Sequence, residues 1–131
     1  MHYKILYTDL TDLLMVQTDG RMNAGDYIGM ARQILGHPRW LPDINVIFDH
    51  TALDFKDVPV SDLQMIRSFH LEHEERIGSG KSAIVVAPGL SPAWLELWGQ
   101  GEKIKTKNQV QVFESCVDAV NWIKEDKKAK G

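Results

Sequence analysis

The distribution of apolar and polar residues divides the chain into short apolar runs and longer amphipathic stretches. The central run, Ile44–Phe48, is mostly β-branched or aromatic, with Pro42 before it and Asp49 after it. A short apolar run between turn residues is typical of a strand covered on both faces within a parallel sheet. This pattern predicts a long loop over 49–59, followed by a helix in which Ser61 and Gln64 form a capping box.

The remaining runs predict four more strands and three more helices. The strands are Tyr3–Thr8, Leu13–Thr18, Ala83–Ala87 and Val110–Phe113, and the first two form a hairpin with loop 9–12. The other helices begin at the caps Asn23, Ser91 and Ser115, while the helix after Ser61 continues to Gly78. The order ββαβαβαβα predicts an α/β fold with a single-layer mixed, mostly parallel sheet flanked by helices.

Composition and charge narrow the class of protein. The 131 residues are 44% hydrophobic and 25% charged, so we expect a single domain over 1–131 with a frayed tail at 125–131. A net charge of −3 argues against nucleic acid as a partner. No apolar run approaches the ~20 residues of a membrane span. The single cysteine, Cys116, fits a reducing compartment, so we expect a cytoplasmic protein with Cys116 facing the core.

Two groups of residues suggest chemistry. Gly78-Ser79-Gly80-Lys81-Ser82 resembles the end of a phosphate-binding loop, but it leads into a strand rather than a helix, so we interpret it as a helix stop and turn. His70 and His73 fall inside the apolar arc of their helix and could supply two metal ligands, with His50 as a third. The interpretation we favour is two partly buried core histidines bonded to neighbouring groups.

The carboxyl edge of the parallel strands is where open α/β sheets usually bind ligands. Asp49 and His50 are predicted there, next to several helix N-termini. Because carboxylates already line this edge, we expect them to complement helix dipoles rather than to leave room for a phosphate. Trp94 and Trp98 share one helix face, where they belong either to the core or to an apolar pocket.

The element order, together with three stretches of sequence, resembles the STAS domain of anti-sigma factor antagonists, and more closely the SpoIIAA-like (STAS/SEC14-like) group of small bacterial proteins. The stretches are Gly20–Tyr27, Val46–Asp49 leading to Leu53-Asp54-Phe55, and Val112–Ser115 with Ala119–Ile123. In regulatory STAS domains a phosphorylatable serine follows the central strand. The matching stretch here, Asp57–Ser61, lacks the serine pair and the glycine of that motif.

The resemblance implies a non-enzymatic module that binds another protein or a second copy of itself, and that needs no cofactor. The alternative is a carrier of a small apolar or amphiphilic ligand, as SEC14-like domains bind lipids, although we expect so short a chain to lack a large cavity. A metal-dependent enzyme using His70 and His73 is the third hypothesis. The candidate interaction or ligand residues are Asp49, His50, Asp57, Ser61, Phe69, His70, His73, Trp94 and Trp98.

Overall fold

The computed structural model describes residues 1–8, 13–99 and 108–129. It contains five strands, β1 (His2–Thr8), β2 (Leu13–Arg21), β3 (Asn45–Asp54), β4 (Lys81–Val85) and β5 (Gln109–Phe113). Its helices are α1 (Ala24–Leu35), α2 (Val60–Glu72), α3 (Glu74–Ile77), α4 (Ser91–Gly99) and α5 (Cys116–Ala129). The predicted order is confirmed, with α3 as an additional short helix.

The strands form one sheet in the order β1-β2-β3-β4-β5. β1 pairs with β2 in an antiparallel hairpin, and every later neighbour is parallel. The predicted mixed, mostly parallel sheet is therefore confirmed, while the predicted hairpin loop 9–12 lies outside the described residues. The fully buried β4 occupies an inner position, as its continuous apolar sequence after Ser82 predicts.

Two strands are longer than the sequence pattern predicts. β2 continues to Arg21 and β3 to Asp54, and the two remain paired up to the register Arg21↔Asp54. The prediction that β2 ends at Thr18 is wrong, and so is the prediction of a loop over 49–59. These positions in β2 and β3 tolerate polar residues, because β4 pairs with β3 only as far as Asp49. The connection to α2 is reduced to residues 55–59.

The helix N-termini follow the predicted caps only in part. Asn23 caps α1 as predicted, because its Oδ1 accepts a hydrogen bond from Asp26 N at 2.9 Å. The predicted Ser61 cap is wrong, since α2 begins at Val60 and Pro59 occupies the cap position without a side-chain bond. α4 begins at Ser91 itself, so that serine is not a preceding cap either.

The predicted helix from Ser61 to Gly78 is interrupted at His73, which adopts φ −111° and ψ 16°. The ring of His73 stacks on Phe69 with centroids 4.0 Å apart, and its Nδ1 donates to the Phe69 carbonyl oxygen at 2.8 Å. After α3, Gly78 takes a positive φ of 80° and leads into β4. The interpretation of Gly78–Ser82 as a helix stop and turn is therefore confirmed.

Alternate side chains of the strands build two different cores. On one face, α5 contributes Ala119 and Ile123, which pack on Leu13, Ile47, Ala83 and Val85. On the other face, α1, α2 and α4 lie over Leu14, Val16, Val46 and Ile84. Cys116, which was predicted to face the core, is instead exposed at the start of α5. We call the side of the sheet covered by α5 the α5 face, and the side covered by α1, α2 and α4 the cavity face.

Candidate functional site

The cavity face contains a cavity of about 790 Å³ between the sheet and the helices. This volume lies within the ~300–1,000 Å³ typical of small-molecule sites, so the expectation that the chain lacks a large cavity is wrong. In the cover above it, α2 packs against α1 more closely than against any strand. Sheet side chains such as Val46, Ile84 and Val112 line the opposite side of the cavity.

The wall of the cavity is mainly aliphatic and aromatic. α1 contributes Met30 and Ile34, α2 contributes Ile66 and Phe69, and α4 contributes Trp94. Trp40, in the connection between α1 and β3, completes one side, and its indole Nε1 donates to the Arg76 carbonyl oxygen at 3.1 Å. Polar groups at the wall are few, and Arg67 and His70 on α2 are the two that carry or can acquire positive charge.

His70 is the polar group that most sharply distinguishes this cavity from ordinary core. Its Nε2 is buried and has no hydrogen-bond partner among the described residues. Burial lowers the pKa of His70 below its ordinary value, and the nearby Glu74 carboxylate opposes that shift. A buried polar atom without a partner is costly and uncommon in folded proteins.

A second polar group lies beside the cavity and is fully paired. His50 is completely buried, with Nδ1 2.7 Å from Thr18 Oγ1 and Nε2 3.1 Å from Tyr27 OH. Thr18 Oγ1 in turn donates to the Asp49 carbonyl oxygen at 3.3 Å. The neutral tautomer with a proton on Nδ1 satisfies all three contacts, because Tyr27 can then donate to Nε2. Burial lowers the pKa of His50 to about 3, so the ring is neutral.

The three histidines do not converge on a metal position. Both ring nitrogens of His50 are engaged within the Thr18–Tyr27 network, and Nδ1 of His73 is bonded to the backbone. Among residues 1–8, 13–99 and 108–129, no three histidine, cysteine or acidic side chains form a set that could hold a metal ion. The third hypothesis therefore lacks the third ligand that it needs from His50.

The carboxyl edge of the sheet is occupied by carboxylates that bind helix N-termini. Glu114, directly after β5, accepts hydrogen bonds from Gly89 N at 3.0 Å and Ser91 N at 3.3 Å at the start of α4. Asp62 of α2 accepts from Ala24 N at the start of α1, at 3.0 Å. Hydrogen bonds from Ser91 and Gly89 lower the pKa of Glu114. These acids fill the positions where a phosphate would otherwise bind.

The structure brings together only some of the candidate residues. Phe69, His70 and Trp94 line the cavity. His73 stacks behind Phe69, and Asp49 lies within β3, where it binds Thr51 N at 3.1 Å. Two candidate residues are exposed, namely Asp57, at φ 58°, and Ser61, in the first turn of α2. Trp98 is part of α4, but its side chain lies outside the described part of the chain.

Sequence reasoning did not find Tyr27, Trp40 and Arg67 as cavity residues. Arg67 precedes His70 by three positions, which places both on one side of a helix. From the sequence alone, that spacing could have indicated a pair of polar side chains within the apolar wall. Trp40 offered no comparable signal, because its role depends on how the segment after α1 folds back toward α3.

Comparisons with known proteins identify the fold. No protein-family model and no curated protein matches the sequence. An uncharacterized protein of the DUF3478 family with a SpoIIAA-like fold, from Shewanella loihica, is similar in structure, with a TM-score of 0.61 and 20% identity over 92% of this chain and 93% of that one. An anti-sigma factor antagonist from Mycobacterium paratuberculosis matches with a TM-score of 0.57 and 13% identity over 94% and 95%. The chain thus has the SpoIIAA-like fold, as the resemblance implied.

No helix in the described part of the chain has the length and apolar character needed to cross a membrane.

Proposed function

We propose that this protein is a non-enzymatic binding module with a STAS-like fold, whose cavity takes up a small apolar or amphiphilic molecule. The observation that carries the proposal is the cavity of about 790 Å³ between the sheet and α1, α2 and α4. An apolar wall with a few polar groups is the usual form of a small-molecule site. On this ground we prefer the carrier hypothesis to the protein-interaction hypothesis that the sequence favours.

The polar side chains near the cavity support binding rather than catalysis. His50 is fully buried and both its ring nitrogens are paired. Tyr27 is held as its partner, and burial raises the pKa of that phenol above its ordinary value. A general base must lie within hydrogen-bond reach of the proton that it removes, with a pKa near the operating pH. His50, with a pKa of about 3, does not meet that condition.

Fluorescence titration with anilinonaphthalene sulfonate, supported by native mass spectrometry, tests the proposal. We expect the dye to bind with a stoichiometry near one and to be displaced by apolar competitors. Ala31, which lines the cavity from α1, offers a variant that fills it: Ala31→Phe is expected to weaken dye binding by about tenfold or more. Gln33→Phe, on the exposed side of the same helix, is the matched control.

Unchanged dye affinity in Ala31→Phe, with a normal circular dichroism spectrum, would contradict binding in this cavity. Loss of affinity in both variants would indicate a general disturbance of α1 and would equally count against a specific site. Native mass spectra recorded after gentle purification add an independent readout, because a resident ligand appears as extra mass that disappears on denaturation.

A second candidate function is protein binding through the outer side of α2. Val60, Met65 and Leu71 on this helix are 45%, 53% and 46% exposed. The similarity of fold to an anti-sigma factor antagonist supports the same view. However, Met65 points about 120–140° away from Val60 and Leu71 around the helix, so the three side chains do not form one continuous stripe.

Sedimentation velocity tests this second function with a second copy of the chain as the first partner. Self-association that Met65→Asp abolishes, and that Leu41→Asp leaves intact, would support an interface on α2. Leu41 is a suitable control because it is 64% exposed and lies outside α2. A monomer at all concentrations would remove self-association from consideration.

A further inference from the structure

The described side chains that line the cavity offer a ligand no free charge, and we infer that the ligand is an uncharged molecule held by apolar contacts. The inference rests on the proposed function and narrows it, because it excludes amphiphiles with an ionised head group. An ion loses much of its hydration when it enters an apolar cavity, and that loss is recovered only where the wall supplies a counter-charge.

Arg67 and His70 are the lining side chains that could balance an anion, and neither presents a free positive charge. Arg67 already interacts with another group. The Nε2 atom of His70 is buried so completely that it has almost no surface for a ligand to contact. Burial also lowers the pKa of His70, so its ring is neutral at pH 7. An anion in the cavity would gain no counter-charge from these two residues.

The lining offers a cation even less. No described lining residue carries a carboxylate, and Glu74, whose charge acts on His70, lies outside the lining. A cationic ligand would also meet Arg67, which has the same sign of charge. Both signs of charge are thus disfavoured, whereas an uncharged apolar molecule has little hydration to lose.

Two polar side chains of the lining are engaged with the protein itself. Tyr27 OH lies 3.1 Å from His50 Nε2, and Asn108 Nδ2 donates to the Gly80 carbonyl oxygen at 2.7 Å. A ligand with hydrogen-bonding groups of its own would have to break such bonds or leave its groups unpaired, and either outcome weakens binding. Affinity therefore comes from contact with the aliphatic and aromatic wall.

The part of the lining that reaches the surface is uncharged as well. Its exposed members in the described part of the chain are Leu95 of α4 with Val110 and Gln111 of β5. Two of these side chains are aliphatic and the third is a neutral amide. An amphiphile that kept an ionised head group at this opening would find no opposite charge among them.

Four compounds that share one ring system test the inference: naphthalene, 1-naphthamide, 1-naphthoate and 1-naphthylmethylammonium. Binding is measured on the full chain at pH 7 by displacement of N-phenyl-1-naphthylamine, the uncharged parent of anilinonaphthalene sulfonate. We expect naphthalene to bind about tenfold or more tightly than either ion. The amide, which is polar but uncharged, is expected to bind more tightly than both ions.

A cation placed at the opening tests the same inference by a gain of affinity. Val110→Lys is expected to raise the affinity for naphthoate about fivefold or more, and to change that for naphthalene by less than about twofold. Val117→Lys, at an exposed position of α5 on the other side of the sheet, is the matched control and should change neither affinity. Arg67→Met should leave the ratio of the two affinities unchanged, because Arg67 does not hold the ligand.

The outcomes separate this inference from the proposed function. If neither the uncharged dye nor naphthalene binds, the ligand-binding function itself is wrong. If either ion binds to the unmodified protein within about threefold of naphthalene, the cavity binds ligands but the inference is overturned. A selective loss of naphthoate affinity in Arg67→Met would also overturn it. Unchanged naphthoate affinity in Val110→Lys would equally count against it, because a charge at the opening would then have no influence on which ligands bind.

Discussion

The two faces of the sheet carry similar residues but reach opposite packing outcomes. On the α5 face, Ala119 is fully buried and lets the helix approach the strands closely, so Ile47 and Val85 are sealed beneath it. On the cavity face, three helices share the cover, α2 lies closest to α1, and Val46 and Ile84 line the cavity. A sheet face becomes a core or a binding site depending on how closely its covering helices approach it.

The polar groups of the two faces also differ in how completely they are hydrogen-bonded. On the α5 face, buried Lys81 donates to the Trp122 carbonyl oxygen at 2.6 Å, and its ammonium lies 4.6 Å from the centre of the Trp122 ring. On the cavity face, His50 bonds to Tyr27 of α1 and Thr18 of β2, whereas Nε2 of His70 has no partner among the described residues. The cavity face therefore combines a satisfied network with an unsatisfied atom.

The largest expected effect is a loss of stability in acid caused by His50. Its pKa is lowered from 6.5 to about 3 in the folded protein, so between these values the unfolded chain binds the extra proton. The free energy of unfolding should therefore fall as pH decreases from about 6.5 toward 3, by about 1 kcal/mol per pH unit. Urea denaturation across this range measures the loss. His70, whose pKa is also lowered, changes stability in the same direction.

His50→Gln isolates the part of this loss that belongs to one ring. The variant should be less stable than the unmodified protein at pH 7, and the difference should shrink as the pH falls. His37→Gln is the control, because that ring makes only a local bond from Arg39 N. Stability curves for His50→Gln and the unmodified protein that stay parallel between pH 7 and 4 would show that His50 is not held neutral by burial.

A smaller effect should distinguish the two faces directly. Val85 and Val46 are each 2% exposed, but Val85 lies on the α5 face and Val46 borders the cavity. Val85→Ala should lower the free energy of unfolding by about 2 kcal/mol, and Val46→Ala by about 1 kcal/mol. The space that the Val46 methyl groups leave joins the cavity that this residue already lines, so no new sealed void forms.

Urea denaturation of the two variants under identical conditions checks this difference. Equal losses, or a larger loss for Val46→Ala, would mean that the cavity is closed by rearrangement of α1 and α2 in solution. A ligand that fills the cavity should act in the opposite direction and increase the cost of Val46→Ala toward that of Val85→Ala.

The smallest effect concerns the hydrogen bond between Tyr27 and His50. Tyr27→Phe keeps the aromatic ring but leaves His50 Nε2 without its partner, so we expect a loss of about 1 kcal/mol in the free energy of unfolding. Tyr3→Phe, at a position 38% exposed on β1, is the control and should change stability by less than about 0.5 kcal/mol. Equal stability of both variants would show that the Tyr27–His50 bond contributes nothing net.

Much of the fold could be read from local patterns. The apolar run at 44–48 predicted the central strand, and Asn23 predicted the start of α1, because both depend on neighbours in sequence. The predictions were wrong where a residue's hydrogen-bond partner or strand neighbour is distant in the sequence. Asp62 and Glu114 bind the N-termini of α1 and α4, and paired β2 and β3 continue through polar residues that the sequence alone marks as loop.

For the candidate site, too, the sequence predicted some features and tertiary contacts decided the others. The sequence identified Phe69, His70 and Trp94 as residues of interest, because helical spacing puts them on apolar faces. It did not decide that they share a cavity, nor that His50 would be paired and His70 left unpaired. Those outcomes depend on how α1, α2 and α4 pack over the sheet, a choice among tertiary contacts that no residue spacing along one helix specifies.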